Sequence, residues 1–459
     1  MAKARKAFVC TDCGQDFQKW QGQCVNCKAW NTVSEISLGM PERGTAGGAR
    51  TMGYAGERSS VKILSDIKAD EHPRLATGMA EFDRVLGGGL VPGSAILIGG
   101  NPGAGKSTLL LQTMCTLAAK IPALYVTGEE SLHQIAMRAQ RLKLPTDDLK
   151  LLAETNISSI LQAIEEHQPK LVVVDSVQAT FVPDINSAPG GVAQVRESAA
   201  YLIQAAKQRG FVLFLVGHVT KDGSLAGPKV LEHMIDSSIL LEGSHDSRFR
   251  TLRGQKNRFG AVNELGVFAM TEQGLKEVKN PSAIFLTRGD EMTPGTVVMV
   301  VWEGTRPLLV EIQALVDDSQ LANPRRVAVG LEQNRLALLL AVLHRHGGLQ
   351  IGSMDVFVNV VGGVKVLETS ADLALLMALV SSLRNFILPQ ELVVFGEVGL
   401  GGEIRPVPSG QERLKEAAKH GFTKAIVPRA NVPRGGIEGM EILAVDKLSG
   451  ALDALENVL

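Results

Sequence analysis

The chain has 459 residues, of which 45% are hydrophobic, and this length predicts two or three domains with large buried cores. Its formal net charge of -1 gives no overall attraction to nucleic acid, so DNA binding must depend on local basic patches. The longest apolar runs, at 336–343 and 373–380, fall far short of the roughly 18 residues that cross a bilayer. We therefore expect a globular protein without a membrane span. Because no apolar signal segment follows the basic N-terminus, the expected location is cytoplasmic.

The first predicted module contains four of the five cysteines. They form two Cys-x-x-Cys pairs separated by ten residues, Cys10 with Cys13 and Cys24 with Cys27. In a reducing compartment this pattern favours a closed, structural zinc site with four sulfur ligands, and free thiols or a redox pair are the alternative. We predict a zinc finger over 1–35 and a flexible, glycine-rich linker over 36–60.

The next region, 61–280, alternates short apolar strands with helical patterns. Such alternation predicts an α/β domain with a parallel sheet that is covered by helices on both faces. The predicted strands lie at 95–99, 123–127, 171–174 and 211–216, and the predicted helices include 109–117, 160–167 and 194–208.

The strongest motif follows the first of these strands. Residues 100–108 match the P-loop pattern in full, between a predicted strand and a predicted helix. In such a loop, backbone N–H groups point at the phosphates of ATP or ADP, the lysine reaches the β and γ oxygens, and the serine ligates Mg²⁺. We predict a catalytic role for the lysine and nucleotide binding by the whole loop: Gly100, Asn101, Pro102, Gly103, Ala104, Gly105, Lys106, Ser107 and Thr108.

Hydrolysis also requires carboxylates near the phosphates, and two predicted strands lead into acidic residues. Asp175 closes a buried strand and is the predicted Walker B ligand of Mg²⁺, with a simple turn cap as the alternative. Glu129 follows another strand and is the predicted catalytic base. Glu130 is the alternative base, or else favours the start of the next helix. His218 is either a γ-phosphate sensor or an ordinary residue at a strand end.

These features together resemble one known family. The P-loop, Glu129, Asp175, His218, the four cysteines and the run Lys-Asn-Arg-Phe-Gly at 256–260 are similar to those of the bacterial RadA (Sms) family of RecA-related recombination and repair ATPases. The resemblance covers essentially the whole chain and implies a RecA-like P-loop fold. It also implies DNA-stimulated ATP hydrolysis that drives branch migration of recombination intermediates on single-stranded DNA.

The same resemblance implies partners and assembly. We expect a homo-oligomer, with a hexameric ring as the implied form, that works beside a RecA-type recombinase. In this family the zinc module assists interaction with DNA or with a partner helicase. The implied cofactors are ATP or ADP, Mg²⁺ and Zn²⁺.

A basic segment precedes the Lys-Asn-Arg-Phe-Gly run. It places five cations within eleven residues and has no acidic residue among them: Arg248, Arg250, Arg253, Lys256 and Arg258. Such a patch can bind DNA phosphates, and we assign the first four to that role. Lys256 and Arg258, two residues apart, are also predicted to act in the ATP site of a neighbouring subunit, as a trans-acting catalytic finger. A solvated basic loop is the alternative.

Residues 281–459 are predicted to form an independent α+β domain, which resembles the proteolytic domain of Lon. A serine, Ser370, stands at the position of the Lon nucleophile, but the resemblance aligns Gln411 with the catalytic lysine, and glutamine cannot accept the serine proton. We therefore predict an inactive peptidase in which Ser370 is the N-cap of the next helix. Lys415 is the alternative base.

The inactive domain is expected to form the ring and to add DNA-binding surface. Its candidate cations for DNA are Arg405, Arg413, Lys415 and Lys419. Two other functions stay open at this point, an ATP-dependent Lon-type protease and a zinc-bearing adaptor that uses ATP only as a switch.

Overall fold

A computed structural model describes most of the chain. The described residues are 5–10, 16–17, 19–38, 74–219, 225–226, 229–243, 248–282, 286, 293–321, 323–363 and 365–458. Internal contacts divide the chain into two compact units, Met1–Val278 and Lys279–Leu459. None of the helices in the described ranges is long and apolar enough to cross a membrane.

The N-terminal module is a small antiparallel sheet of three strands in the order β2-β1-β3. Its strands are β1 (Arg5–Cys10), β2 (Asp16–Phe17) and β3 (Val33–Leu38). Because Leu38 pairs with Arg5, the first residues of the predicted linker belong to this sheet instead. The rest of the predicted linker, 39–60, lies outside the described residues.

The next part of the chain contains a nine-stranded sheet in the order β14-β13-β12-β11-β4-β8-β7-β5-β6. The six strands from β11 to β6 in this order are parallel, and β12, β13 and β14 continue the sheet as an antiparallel meander. A separate pair is formed by β9 and β10. The strands are β4 (Ala95–Gly100), β5 (Ala123–Thr127), β6 (Lys150–Ala153), β7 (Leu171–Asp175), β8 (Val212–Val216), β9 (His218–Val219), β10 (Leu225–Ala226), β11 (Ser237–Glu242), β12 (Phe249–Asn257), β13 (Leu265–Thr271) and β14 (Gly274–Glu277).

Helices cover both faces of the large sheet, as predicted. They are α1 (Ala80–Val85), α2 (Lys106–Ala118), α3 (Leu132–Arg141), α4 (Ile157–His167), α5 (Val192–Arg209) and α6 (Lys229–Met234). One buried apolar cluster joins α2 to alternate residues of the strands, and a second joins α4 and α5 to the remaining residues of those strands. Buried parallel strands with apolar residues on both faces explain the continuous apolar runs of the sequence.

The direction of the strands decides which residues can share a site. Strand β4 begins at Ala95 and ends at Gly100, where the P-loop starts, and β5 and β7 end at the same edge of the sheet. Strand β12 runs the opposite way, so its first residues lie at the P-loop edge and its last residues at the far edge. The two ends of β4 are about 17 Å apart, because the strand has six residues and rises about 3.3 Å per residue.

The second unit is built on a seven-stranded sheet in the order β17-β18-β16-β15-β19-β22-β23, with a separate β20-β21 pair. Its strands are β15 (Thr296–Glu303), β16 (Arg306–Asp318), β17 (Arg326–Val329), β18 (Met354–Val360), β19 (Leu392–Val394), β20 (Glu397–Val398), β21 (Ile404–Arg405), β22 (Lys424–Pro428) and β23 (Glu441–Val445). Its helices are α7 (Gln333–Gly347), α8 (Ala371–Arg384), α9 (Gly410–Lys419) and α10 (Leu448–Val458). The predicted α+β class is confirmed, and the sheet mixes parallel and antiparallel strands.

Candidate functional site

The P-loop has the conformation that its glycines allow. Gly103 and Gly105 have positive φ values of 78° and 108°, and Gly105 is the N-cap of α2. The φ of Gly105 lies in a region that residues with a Cβ rarely adopt, so a larger residue there would strain the loop. The N-terminus of α2 therefore follows the loop directly, as an anion site requires.

Lys106 points back across this loop. Its ammonium group donates to the carbonyl oxygens of Gly100 at 2.7 Å and Asn101 at 3.1 Å. Burial lowers the pKa of Lys106, and the nearby carboxylates of Asp175 and Glu129 oppose that shift. The P-loop lysine and the two predicted carboxylates are thus brought together at one edge of the sheet.

Asp175, at the end of β7, is held by two hydroxyl groups. Tyr125 donates to its Oδ2 at 2.6 Å, and Ser107 of the P-loop is also hydrogen-bonded to it. Burial raises the pKa of Asp175, whereas both hydrogen bonds lower it. The two predicted Mg²⁺ ligands, a hydroxyl and a carboxylate, are therefore in contact, and oxygen ligands of this kind fit that ion.

The two neighbouring glutamates have different surroundings. Glu130 forms a two-contact ion pair with Arg138 of α3, one contact being 2.8 Å long. Glu129 is exposed and accepts a hydrogen bond from the hydroxyl of Ser176, the residue after Asp175. The carboxylate next to Lys106 and Asp175 is thus that of Glu129, whereas Glu130 is paired with an arginine.

His218 begins β9, two residues after the end of β8, at the edge of the sheet to which the P-loop strand also leads. Its side chain lies outside the described residues. A role as a phosphate sensor therefore stays a prediction.

The five cations of the basic segment do not form one patch. Strand alternation places Arg250 in the interior, where it is 6% exposed and contacts the P-loop, so its predicted DNA contact is wrong. Arg253 is mostly buried and lies 3.8 Å from Glu242 on the paired strand. Arg248 is exposed and directly precedes β12. The sequence did not reveal this division because the partners lie on other elements.

Lys256 and Arg258 lie together at the far edge of the sheet. Lys256 donates to the carbonyl oxygens of Glu232 and Ile235, the latter at 2.8 Å. Arg258 forms a 3.0 Å ion pair with Asp236, which also accepts a hydrogen bond from the backbone of Ala95. Because Ala95 begins β4 and the P-loop follows its end, these two cations are remote from the P-loop of their own chain.

Three cysteine sulfurs converge in the N-terminal module. Those of Cys10, Cys24 and Cys27 lie within 4.8 Å of one another, and the first and last are 3.6 Å apart. Two sulfurs that share a tetrahedral zinc ion with Zn–S bonds of about 2.3 Å would be about 3.8 Å apart, so the cluster fits zinc. Cys13, the fourth predicted ligand, lies outside the described residues.

At the position of the Lon nucleophile, Ser370 is the N-cap residue of α8, as predicted, and it is 2% exposed. Its side chain makes no capping hydrogen bond, so the predicted contribution of its oxygen is not observed. Its hydroxyl lies 3.3 Å from a guanidinium nitrogen of Arg413 on α9. Gln411 and Lys415, also on α9, are both exposed. The group beside the serine is an arginine, which stays protonated and cannot act as a base.

Arg413 is fully buried, so its predicted role as a DNA-binding cation is also wrong. It forms an ion pair with Glu368 at 2.7 Å and donates to the backbone carbonyls of Val300 and Pro408. Of the other three candidates, Arg405 and Lys419 contact glutamates and Lys415 is exposed.

Three residues of the nucleotide site were not predicted from the sequence. Tyr125 and Ser176 donate hydrogen bonds to the carboxylates of Asp175 and Glu129, and Arg138 forms an ion pair with Glu130. Arg413 was predicted to contact DNA, whereas it lies beside Ser370. A tyrosine inside an otherwise aliphatic strand was the only local signal for any of them.

The fold and this site define a RecA-like P-loop ATPase, an ATP-hydrolysing enzyme. Models of known protein families match three separate parts of the chain. A model described as an AAA domain matches residues 71–224, and one described as a rubredoxin metal binding domain matches 8–35. A model described as subunit ChlI of Mg-chelatase matches 325–431 in the Lon-like C-terminal part.

Curated relatives match the chain over its full length. A DNA repair protein RadA of Escherichia coli is 69% identical, and its counterpart from Salmonella typhimurium is also 69% identical. A DNA repair protein RadA of Haemophilus influenzae is 67% identical. In each case the match covers 100% of both chains. The chain therefore belongs to the RadA family of DNA repair proteins.

Proposed function

We propose that this chain is a cytoplasmic, DNA-dependent ATPase of homologous recombination and repair, which promotes branch migration of recombination intermediates on single-stranded DNA. Support comes from relatives that are named DNA repair proteins and match the full length of the chain. The observation that carries the proposal is the separation of the P-loop from the cations Lys256 and Arg258, at opposite edges of one sheet. With this separation, Lys256 and Arg258 could act on ATP only in the site of a second copy of the chain.

Within one subunit, residues 100–108 bind ATP or ADP and Lys106 contacts the β and γ phosphates. Glu129 orients the attacking water and accepts its proton, as phosphate and ADP are released. Ser107 and Asp175 would hold Mg²⁺, which when bound neutralises charge that develops on the phosphates. The ion pair of Glu130 with Arg138 favours this division of roles.

The neighbouring subunit contributes the remaining catalytic charge. Lys256 and Arg258 of one subunit act at the P-loop of the adjacent subunit, as a trans-acting finger. A guanidinium in that position can stabilise the charge of the transition state. The half-exposed side chain of Arg258 is compatible with this role. A closed ring, with six subunits as the implied number, gives every subunit one such neighbour.

DNA contacts are proposed for the exposed cation Arg248 and for Lys256 at the other end of β12. Arg253 is a weaker candidate because Glu242 lies close to its guanidinium. The zinc module is proposed to assist interaction with DNA or with a partner helicase, and a RecA-type recombinase is the proposed partner in recombination.

A coupled assay tests the function. ATP turnover is measured with and without single-stranded DNA, and strand extension is followed on a recombination intermediate. Single-stranded DNA is expected to raise turnover, and Lys106→Ala to abolish both turnover and extension. Lys120→Ala, which changes an exposed lysine just after α2, is the matched control and should retain both. Equal turnover with and without DNA would contradict the proposal.

Mixed subunits test the shared site. Arg258→Ala subunits keep an intact P-loop, and Lys106→Ala subunits keep an intact finger, so a mixture contains some complete interfaces. We expect turnover in the mixture that neither variant has alone. If no ratio of the two variants recovers turnover, the role of Arg258 lies within its own subunit or in DNA binding.

The two other hypotheses make different predictions. A Lon-type protease would degrade casein and lose this activity in Ser370→Ala, whereas the arginine beside Ser370 predicts no cleavage by the unaltered protein. An ATP-switched adaptor would bind nucleotide with negligible hydrolysis, so Glu129→Gln would leave turnover unchanged.

A further inference from the structure

Arg250 is an arginine whose charge is buried against the P-loop. Its Nε donates to the backbone carbonyl of Ala104 at 3.1 Å, and Nη1 donates to the carbonyl of Phe249 at 2.9 Å. Arg250 and Ala104 are 6% and 2% exposed. The contact joins residues 146 positions apart and links the antiparallel part of the sheet to the phosphate loop.

The orientation of Ala104 matters for the chemistry of the loop. A phosphate-binding loop presents N–H groups to the anion, so a carbonyl oxygen that turned inward would repel the phosphates. Ala104 lies between Gly103 and Gly105, which have positive φ values and little intrinsic preference for one conformation. A hydrogen bond from a charged donor is stronger than one from a neutral donor and holds this carbonyl on the outer side of the loop.

The side chain of Arg250 also packs closely against Gly243, which leaves no space for a Cβ at that position. A Cβ on Gly243, the residue after β11, would lie 2.3 Å from Cδ of Arg250 and 2.8 Å from its Nε. Any larger residue at 243 must therefore displace the arginine from its present position.

We propose that Arg250 is a positioning residue of the nucleotide site, which fixes the P-loop in its phosphate-binding conformation through the carbonyl of Ala104. This role rests on the proposed binding of nucleotide by residues 100–108. It is distinct from DNA binding, the role that the sequence predicted for this arginine.

The test is the dissociation constant of fluorescently labelled ADP, measured on the full-length chain by anisotropy. Arg250→Gln is expected to weaken binding about tenfold or more, because a hydrogen bond from a charged group is lost. Arg250→Lys keeps a charged donor and should recover part of the affinity. Arg209→Gln, which alters an arginine paired with exposed Glu165, is the control and should bind like the unaltered protein.

A second variant displaces the guanidinium without removing it. Gly243→Ala should weaken ADP binding in the same direction, whereas Gly352→Ala, where a Cβ has open space, should not. Melting temperatures without nucleotide are measured in parallel. Normal ADP affinity in Arg250→Gln would overturn the inference, as would a loss of ADP affinity in Arg250→Gln that comes with a lowered melting temperature and is not recovered in Arg250→Lys. Absence of ADP binding by the unaltered chain would instead refute the nucleotide site itself.

Discussion

The hydroxyl of Tyr125 donates a 2.6 Å hydrogen bond to Oδ2 of Asp175, and both side chains are buried. The two residues end up side by side because β5 and β7 are neighbouring parallel strands, with Tyr125 paired to Val173. One carboxylate oxygen is thereby fixed within the sheet. The hydrogen bond from Ser107 connects the same carboxylate to the P-loop.

Tyr125→Phe should destabilise the ATPase domain. The substitution removes one hydroxyl and leaves a buried carboxylate with one fewer donor, at a cost of about 2 kcal/mol. The urea midpoint of unfolding should therefore fall. Tyr201→Phe is the matched control, since Tyr201 is 47% exposed on α5, and it should leave the midpoint unchanged. Equal midpoints for the two variants would refute the stabilising role of the hydroxyl.

Glu129→Gln and Glu130→Gln should separate catalysis from stability. Loss of the base in Glu129→Gln should lower turnover about 100-fold or more while ATP still binds. Glu130→Gln breaks the pair with Arg138 and should lower stability, with turnover reduced only a few-fold. Steady-state turnover and ATP binding are measured for both. A larger loss of turnover in Glu130→Gln would reverse the assignment of the base.

Arg413→Ala should be among the most destabilising substitutions in the C-terminal unit. It removes a buried cation and breaks the ion pair with Glu368, at a cost of about 3 kcal/mol or more. Arg429→Ala breaks an exposed ion pair with Asp446 and should cost less than about 1 kcal/mol. Thermal unfolding compares the two, and similar shifts in melting temperature would contradict a structural role for Arg413.

Zinc content should depend on the cysteines of the N-terminal module and not on Cys115. Cys24→Ser removes one of the three converging sulfurs and should lower bound zinc from about one ion per chain toward none. Cys115→Ser changes a buried cysteine of α2 and should keep the metal. Metal analysis of the purified variants distinguishes them. Undiminished zinc in Cys24→Ser would refute the site.

Features that depend on contiguous residues were predicted from sequence. The P-loop, the strand that ends at Asp175 and the paired cysteines each combine their residue types within a short segment, because a turn, a strand end or a metal knuckle is a local structure. The parallel class of the core followed from its continuous apolar strands for the same reason. The sequence by itself thus determined the class of the ATPase core, its phosphate loop and the family resemblance.

Partners distant in sequence were decided only by tertiary structure. Arg250 and Arg253 differ in role because a strand turns alternate side chains to opposite faces, and the partner of each is on another element. Arg413 reaches Ser370 across 43 positions, and Glu130 is distinguished from Glu129 by an arginine on the next helix. A one-dimensional pattern records which residues are charged. Which of those charges are buried, paired or free to act depends on the packing of strands and helices that are far apart in the chain.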